Sequence, residues 1–242
     1  MENLIINQQR EDPVYILNEL YIDNKIYIMD NHLAAGWCWS KRIDFRAKYN
    51  FFHIDRHYDL LNGNTNYLIE QLKQQNFDFK NATIEDYTEA SYESGFIPSK
   101  TKIFRYDNYI TIFDKSFPNL IQKKYFATHN DGTIPLEWQL DMYEPTFYDL
   151  HTNIEYWICD TKEKWILNID IDYFFSDDID GVRYQIFSDK YIMNIGAEIS
   201  KCIENIEVLT IALSPSFCGG IENSKRVAKL LLKAITNLEY DF

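Results

Sequence analysis

The chain has 242 residues, 46% of them hydrophobic, which is enough apolar material for one large α/β core, and residues 1–242 are read as a single domain. A net charge of −13 argues against nucleic acid or an anionic membrane surface as a partner and either favours a cationic substrate or serves simple solubility. Cys38, Cys159, Cys202 and Cys218 form no C-x-x-C pair, the first ten residues lack a signal-peptide pattern, and no apolar run reaches the roughly 20 residues of a membrane span, so a reduced, soluble, cytoplasmic protein is expected.

In chain order, Val14 to Leu20 and Ile26 to Met29 read as strands joined through Asp23-Asn24-Lys25. Leu33 to Tyr49 has helical spacing despite Gly36, and Phe51 to Asp55 is the next strand, giving a β-α-β unit with His32 and Asp55 at its two strand ends. Tyr67 to Gln75 reads as a helix after the turn Asn62-Gly63-Asn64, and Thr83 with Asp86 caps a helix over Ile84 to Glu93. Lys102 to Tyr106 and Tyr109 to Phe113 read as a hairpin or two short strands. Tyr125 to Thr128 is a strand, Thr133 to Glu144 an irregular substrate-facing loop, and Thr146 to Ile158 a helix. Trp165 to Asp170 is a buried strand followed by an acidic loop over Ser176 to Val182. Ser188 then caps a helix over Lys190 to Glu204, and the strand Val208 to Leu213, a Gly-containing loop and the helix Asn223 to Leu238 close the chain. This alternation predicts a mainly parallel sheet with helices on both faces.

Three apolar runs end in potential metal ligands: Ile26 to Met29 at His32, Phe51 to Ile54 at Asp55-Arg56-His57-Tyr58-Asp59, and Trp165 to Ile169 at Asp170-Ile171-Asp172. Side chains at alternate positions of an extended strand share a face, and sites in open α/β sheets form beyond the carboxyl ends of parallel strands, so these six ligands are expected around one point. Aspartates and histidines without cysteine suit Mn²⁺, with Zn²⁺, Fe²⁺ or Co²⁺ also served, and four carboxylates match two divalent ions better than one. Such a pair makes a hydroxide available near neutral pH, which suits hydrolysis of a poor electrophile. His53 shares a face with Asp55 as a donor that could orient a ligand, or as a core histidine. His129, before Gly132, is a candidate proton shuttle, while His151 reads as structural. Trp37, Trp39 and Trp138 fit either a core or a peptide groove.

His32, then Asp55-x-His57-x-Asp59, then Asp170-x-Asp172 resembles the ligand series of the ureohydrolase superfamily of arginase, agmatinase and formiminoglutamase. His53-Ile54-Asp55-Arg56-His57-Tyr58-Asp59 and Ala212-Leu213-Ser214-Pro215-Ser216-Phe217-Cys218-Gly219-Gly220 further resemble small arginase-like proteins that include the peptide arginases, which convert arginine in ribosomal peptides to ornithine. The resemblance spans about residues 30 to 220 and implies a three-layer α/β/α sandwich and a pair of Mn²⁺ ions. One ion would be held by His32, Asp55, Asp59 and Asp170, and the other by Asp55, His57, Asp170 and Asp172. Asp59 would hydrogen-bond the nucleophile and pass its proton to the departing amine. The implied partner is an arginine-containing precursor peptide, and homo-oligomerisation is left open.

The sequence departs from the arginase pattern in three places. Ala212 stands where arginases carry the glutamate that pairs with the guanidinium, which makes Glu222 the candidate substitute, with a first-turn helix acid as its structural alternative. Leu60 to Asn66 lacks the family's readers of a free amino acid's α-carboxylate and α-amine, which favours arginine within a peptide. The family's later Asp-Pro is also missing after Asp172. The alternatives are a hydrolase of a small guanidino or amide compound, arginase-like deacetylases among them, and an inactive metal-containing module that binds peptides.

Overall fold

The computed structural model of the protein describes residues 1–6, 16–93 and 100–242. In chain order its elements are β1 (Glu2–Ile6), β2 (Glu19–Asp23), β3 (Ile26–Met29), α1 (Ala35–Arg42), β4 (Tyr49–Ile54), α2 (Thr65–Gln74), α3 (Ile84–Glu89), β5 (Ser91–Glu93), β6 (Lys100–Lys102), α4 (Tyr109–Ser116), β7 (Ile121–Ala127), α5 (Leu136–Gln139), β8 (Met142–Tyr143), α6 (Phe147–Cys159), β9 (Lys164–Asp170), β10 (Phe175–Asp177), β11 (Arg183–Gln185), α7 (Asp189–Lys201), β12 (Ile206–Ala212) and α8 (Ile221–Thr236). Single 3₁₀ turns at His32–Ala34 and Ile171–Phe174 follow β3 and β9.

Eight strands form one sheet in the order β1-β2-β3-β12-β9-β4-β7-β8. From β3 to β8 every pairing is parallel, and β1 and β2 add an antiparallel edge. Strand parity divides the core. Phe51, Ile166 and Val208 face the layer of Trp39, Tyr109 and Phe113 from α1 and α4, whereas Phe52, Leu167 and Leu209 face Ile154, Ile195 and Leu231 from α6, α7 and α8. The architecture is the expected mainly parallel α/β/α sandwich.

The chain winds outward from β4 through β7 to β8, returns to place β9 beside β4, and then winds the other way to β12. The strand order therefore reverses between β4 and β9, where α/β sheets open a crevice at their carboxyl ends. The expected β-α-β unit is wider than a neighbour-to-neighbour crossover, because β12 and β9 lie between β3 and β4.

Several expected elements are redrawn. β2 begins at Glu19, and Val14 and Tyr15 of the expected first strand lie outside the described residues. α1 stops at Arg42 because Ile43 is extended and the Asp44 carboxylate accepts the Arg46 N–H at 3.0 Å, closing a local turn. Gly36 is tolerated in α1 for a packing reason, since a Cβ there would lie 2.7 Å from the Tyr87 hydroxyl. The expected hairpin over Lys102 to Phe113 is incorrect. Asn108 accepts the Arg105 N–H at 2.9 Å and donates to the Ile103 carbonyl at 3.0 Å, and the turn it closes starts α4, whose Tyr109, Ile112 and Phe113 enter the core together. β-branched and aromatic composition alone did not separate the two. The acidic segment after Asp172 is partly a ribbon, with β10 paired to β11, and the irregular segment before Pro145 contains α5 and β8.

Candidate metal centre

At the end of β3, the Asn31 side chain accepts the Leu33 N–H at 3.0 Å and starts the turn that carries His32. At the end of β4, Asp55 Oδ1 accepts the His57 N–H at 2.6 Å, and Asp59 is held at φ 54°, a left-handed conformation that a non-glycine residue adopts under local constraint. At the end of β9, Asp170 Oδ1 accepts the Asp172 N–H at 2.9 Å. Asp172 Oδ1 in turn accepts the Arg56 N–H at 3.2 Å and ties the two strand ends together. From the loop after β12, Ser214, itself at φ 40°, donates its hydroxyl to Asp170 Oδ2 at 2.5 Å.

Two groups result. His32 Nδ1 lies 3.2 Å from Asp55 Oδ2, 3.4 Å from Asp59 Oδ2 and 3.1 Å from Asp170 Oδ2. His57 Nδ1 lies 3.4 Å from Asp55 Oδ1 and 3.1 Å from Asp172 Oδ2. Asp55 is thus shared, one oxygen to each group. His32, Asp55, Asp170 and Asp172 are buried, and the Asp59 side chain is 8% exposed.

This donor set fits divalent cations on two grounds. Among the described residues, both His32 ring nitrogens and Asp55 Oδ2 are buried without a hydrogen-bond partner. Buried polar atoms in such a state are costly unless something else satisfies them. The charges agree. Burial disfavours protonated His32, but Asp170, Asp55 and Asp59 outweigh it and raise its pKa well above the usual value. Burial likewise disfavours protonated His57, which Asp172 and Asp55 nevertheless push up to about 12. Burial and the Asp55 charge raise Asp59 to about 7, and burial with Asp170 and Asp55 raises Asp172 well above the carboxylate range. The cluster attracts positive charge, and in the bare protein protons supply it.

His53 also lies 3.4 Å from Asp55 Oδ2, but it is not free to bind a cation. Its Nδ1 meets the Asn168 amide nitrogen at 2.8 Å, and that amide's oxygen accepts the Thr210 hydroxyl at 2.6 Å, which leaves nitrogen facing the ring. His53 Nδ1 must therefore accept, and Nε2–H donates to the His57 carbonyl at 3.1 Å. Burial, first among the causes, lowers its pKa to about 4, so the ring is neutral. His53 anchors the backbone that carries His57.

The cluster forms the floor of a cavity of about 360 Å³. Its walls include Leu60, Leu61, Tyr106, Asp131, Pro215 and Phe217. Of the candidates, His32, His57, Asp59, Asp170 and Asp172 line this cavity and Asp55 lies beneath it. His129 and Glu222 do not line it: the His129 ring packs 5.0 Å from Tyr173, and Glu222 is exposed in the first turn of α8. Trp37, Trp39 and Trp138 are core residues, with the Trp37 and Trp39 indoles donating to the Ala82 carbonyl and Thr210. The sequence reading assigned no role to Asp107 or Asp131, which both line the cavity. For Asp131 a signal existed, since it precedes Gly132, whose φ is +113°, in the turn after β7.

No protein-family model matches the chain, and no curated protein matches it. Among solved structures it is similar to the agmatine ureohydrolase of Thermoplasma volcanium, at 11% identity and a TM-score of 0.42 over 87% of this chain. The alignment spans 61% of that enzyme's length.

Proposed function

We propose that the protein is a dinuclear-metal hydrolase of guanidino groups that converts arginine side chains within a peptide to ornithine and urea, with Mn²⁺ as its metal. The observation that carries this reading is the pair of carboxylate–histidine groups that share Asp55 and leave buried ligand atoms unsatisfied. His32, Asp55, Asp59 and Asp170 would hold one ion, and Asp55, His57, Asp170 and Asp172 the other. Bound ions would supply a hydroxide nucleophile near neutral pH, because coordination lowers the pKa of water from 15.7 to about 7.

The remaining chemistry belongs to the chain. Water oxygen bonds to the guanidinium carbon, the bond from that carbon to the side-chain nitrogen breaks, and urea and a primary amine separate. Asp59, which lines the cavity, takes the proton that remains on the attacking oxygen and delivers it to the departing nitrogen. Leu60, Leu61 and Phe217 offer apolar surface to the methylene stem.

Substrate class is favoured by a charge count. Among the described residues no lysine or arginine lines the cavity, so no cationic side chain there would pair with the α-carboxylate of free arginine. Arginine within a peptide has no such carboxylate. The same observation suits a small guanidino amine, which is the second reading.

The test is mass spectrometry of an arginine-containing peptide, free arginine and a guanidinoalkylamine, each incubated with Mn²⁺-loaded protein. Loss of CH₂N₂ from the peptide with release of urea is expected, and free arginine should remain unchanged. Turnover of the alkylamine alone would replace the peptide reading with the small-molecule one. No urea from any of the three would overturn the proposal.

A further inference from the structure

Three carboxylates line the cavity beyond the ligand cluster: Asp30, Asp107 and Asp131. Asp30 is saturated, with Oδ1 accepting the Asn18 and Glu19 N–H groups at 2.9 and 3.0 Å and Oδ2 accepting the Asn18 side-chain amide at 2.8 Å. Asp107 pairs through Oδ2 with Arg105 at 2.9 Å, and its Oδ1 is out of contact with solvent, so a ligand in the cavity cannot reach it without rearrangement. Asp131 differs from both. Its side chain is 51% exposed, it lines the cavity, and Oδ2 stands 3.8 Å from His57 Nε2, on the opposite edge of the ring from the nitrogen that faces Asp55 and Asp172.

The backbone fixes that position. Asp131 forms a parallel bridge with His57, and its carbonyl accepts the Tyr58 N–H at 3.1 Å. Asn130 at φ 61° and Gly132 at φ +113° bend the chain on either side, while the Tyr58 hydroxyl donates to Asn130 Oδ1 at 3.0 Å. The carboxylate itself lies 3.4 Å from Arg56 Nε. Arg56 Nη1 lies 2.7 Å from Asp177, which also meets Arg183 at 2.6 Å, so two guanidinium groups share that one carboxylate and Asp131 Oδ2 offsets the charge left over; both charged contacts of Asp131 fall on Oδ2, which leaves Oδ1 with acceptor capacity.

We infer that Asp131 is the specificity-determining carboxylate of this site: it accepts N–H groups from the cationic end of the substrate and takes the part for which Ala212, buried on β12, has no functional group. The inference rests on the guanidino-hydrolase reading for the identity of the cation, and it replaces Glu222, which is outside the cavity. Hydrogen bonds to a charged group are directional and about twice as strong as neutral ones, so this contact distinguishes a cation from a neutral side chain of similar shape.

The test separates recognition from turnover. Equilibrium binding to the Mn²⁺-loaded protein is measured for a peptide carrying ornithine, a cation that releases no urea, and for the same peptide carrying norvaline, its neutral counterpart. The parent protein should prefer the cation, and Asp131→Asn should reduce that preference about 10- to 100-fold, with Asp131→Glu restoring part of it. Metal content by elemental mass spectrometry should stay at the parental level. An undiminished preference in Asp131→Asn would overturn the inference. Equal weakening of both peptides together with loss of metal would also overturn it, showing that Asp131 only orients His57. Failure of the hydrolase reading would appear separately, as an absence of urea from the parent with arginine peptides.

Discussion

Two buried polar groups sit one above the other on the same face of strands β4, β9 and β12, and they are built on opposite terms. In the lower one, the Trp39 indole donates to Thr210 at 3.1 Å, Thr210 donates to Asn168 at 2.6 Å, and Asn168 donates to His53 at 2.8 Å and to the Tyr109 hydroxyl at 2.9 Å. Every one of these donors has an acceptor. In the upper one, Asp55 and Asp170 stand two residues beyond His53 and Asn168, His32 joins them from the turn after β3, and among the described residues His32 and Asp55 keep ligand atoms buried and unpaired. Satisfied polar networks specify a core, whereas an unsatisfied one persists when something outside the chain completes it. The lower layer is structure, and the upper layer has the donor set to hold cations.

The largest effect should come from removing a ligand of the upper layer. Asp170→Ala removes a ligand that both ions would share, so it should abolish stoichiometric loading of the pair and reduce urea release on the order of 1,000-fold or more, since the hydroxide is lost with the metal. It should also remove the thermal stabilisation that Mn²⁺ gives the parent, about 2.7 kcal/mol at a hundredfold excess over Kd. Elemental analysis and melting curves with and without Mn²⁺ check this, and a Mn²⁺-dependent shift surviving in the variant would sink the assignment of that layer to cations.

The lower layer should respond in another way. Asn168→Ala leaves Thr210, Tyr109 and His53 without their partner and should cost about 3 kcal/mol in urea denaturation, by a similar amount in metal-free and metal-loaded protein. A loss confined to the loaded form would mean that the two layers are one unit. Gly36→Ala, on α1 near the same layer, forces the Tyr87 hydroxyl aside and should cost about 1–2 kcal/mol with metal content unchanged.

The smallest effect is a pH dependence of loading. The bare cluster retains protons because His32 and His57 are raised above the usual imidazole range by their carboxylates, and Asp59 is raised to about 7 by burial and Asp55. Cation binding must expel protons, so apparent affinity should rise with pH through neutrality, by about tenfold per unit for each proton released. Calorimetry in two buffers with different protonation enthalpies reads that number, and identical heats in both would contradict it.

Much of this layout is legible in the sequence. β3 has the bounds that its sequence suggested, α3 starts at the Thr83–Asp86 capping box, and Ser188 caps α7. These signals are local, since an apolar run or a cap side chain reports its own backbone. Tyr109 to Phe113 was misread because the same residues suit a strand by composition and a helix by spacing, and the choice depended on the core they enter. His129 and Glu222 could be nominated by neighbouring residues but not placed, because the cavity wall is made by loops whose contacts are distant in sequence.

By itself, the sequence determined the ligand types and the strand ends that carry them, because alternation on a strand and the stop of an apolar run are local facts. Only the tertiary structure decided which ligands share Asp55, that His53 is tied down by Asn168, and that Asp131 reaches the cavity when Glu222 does not. Those relations depend on strand order and loop approach, across 115 residues in the case of His53 and Asn168, and no local pattern encodes them.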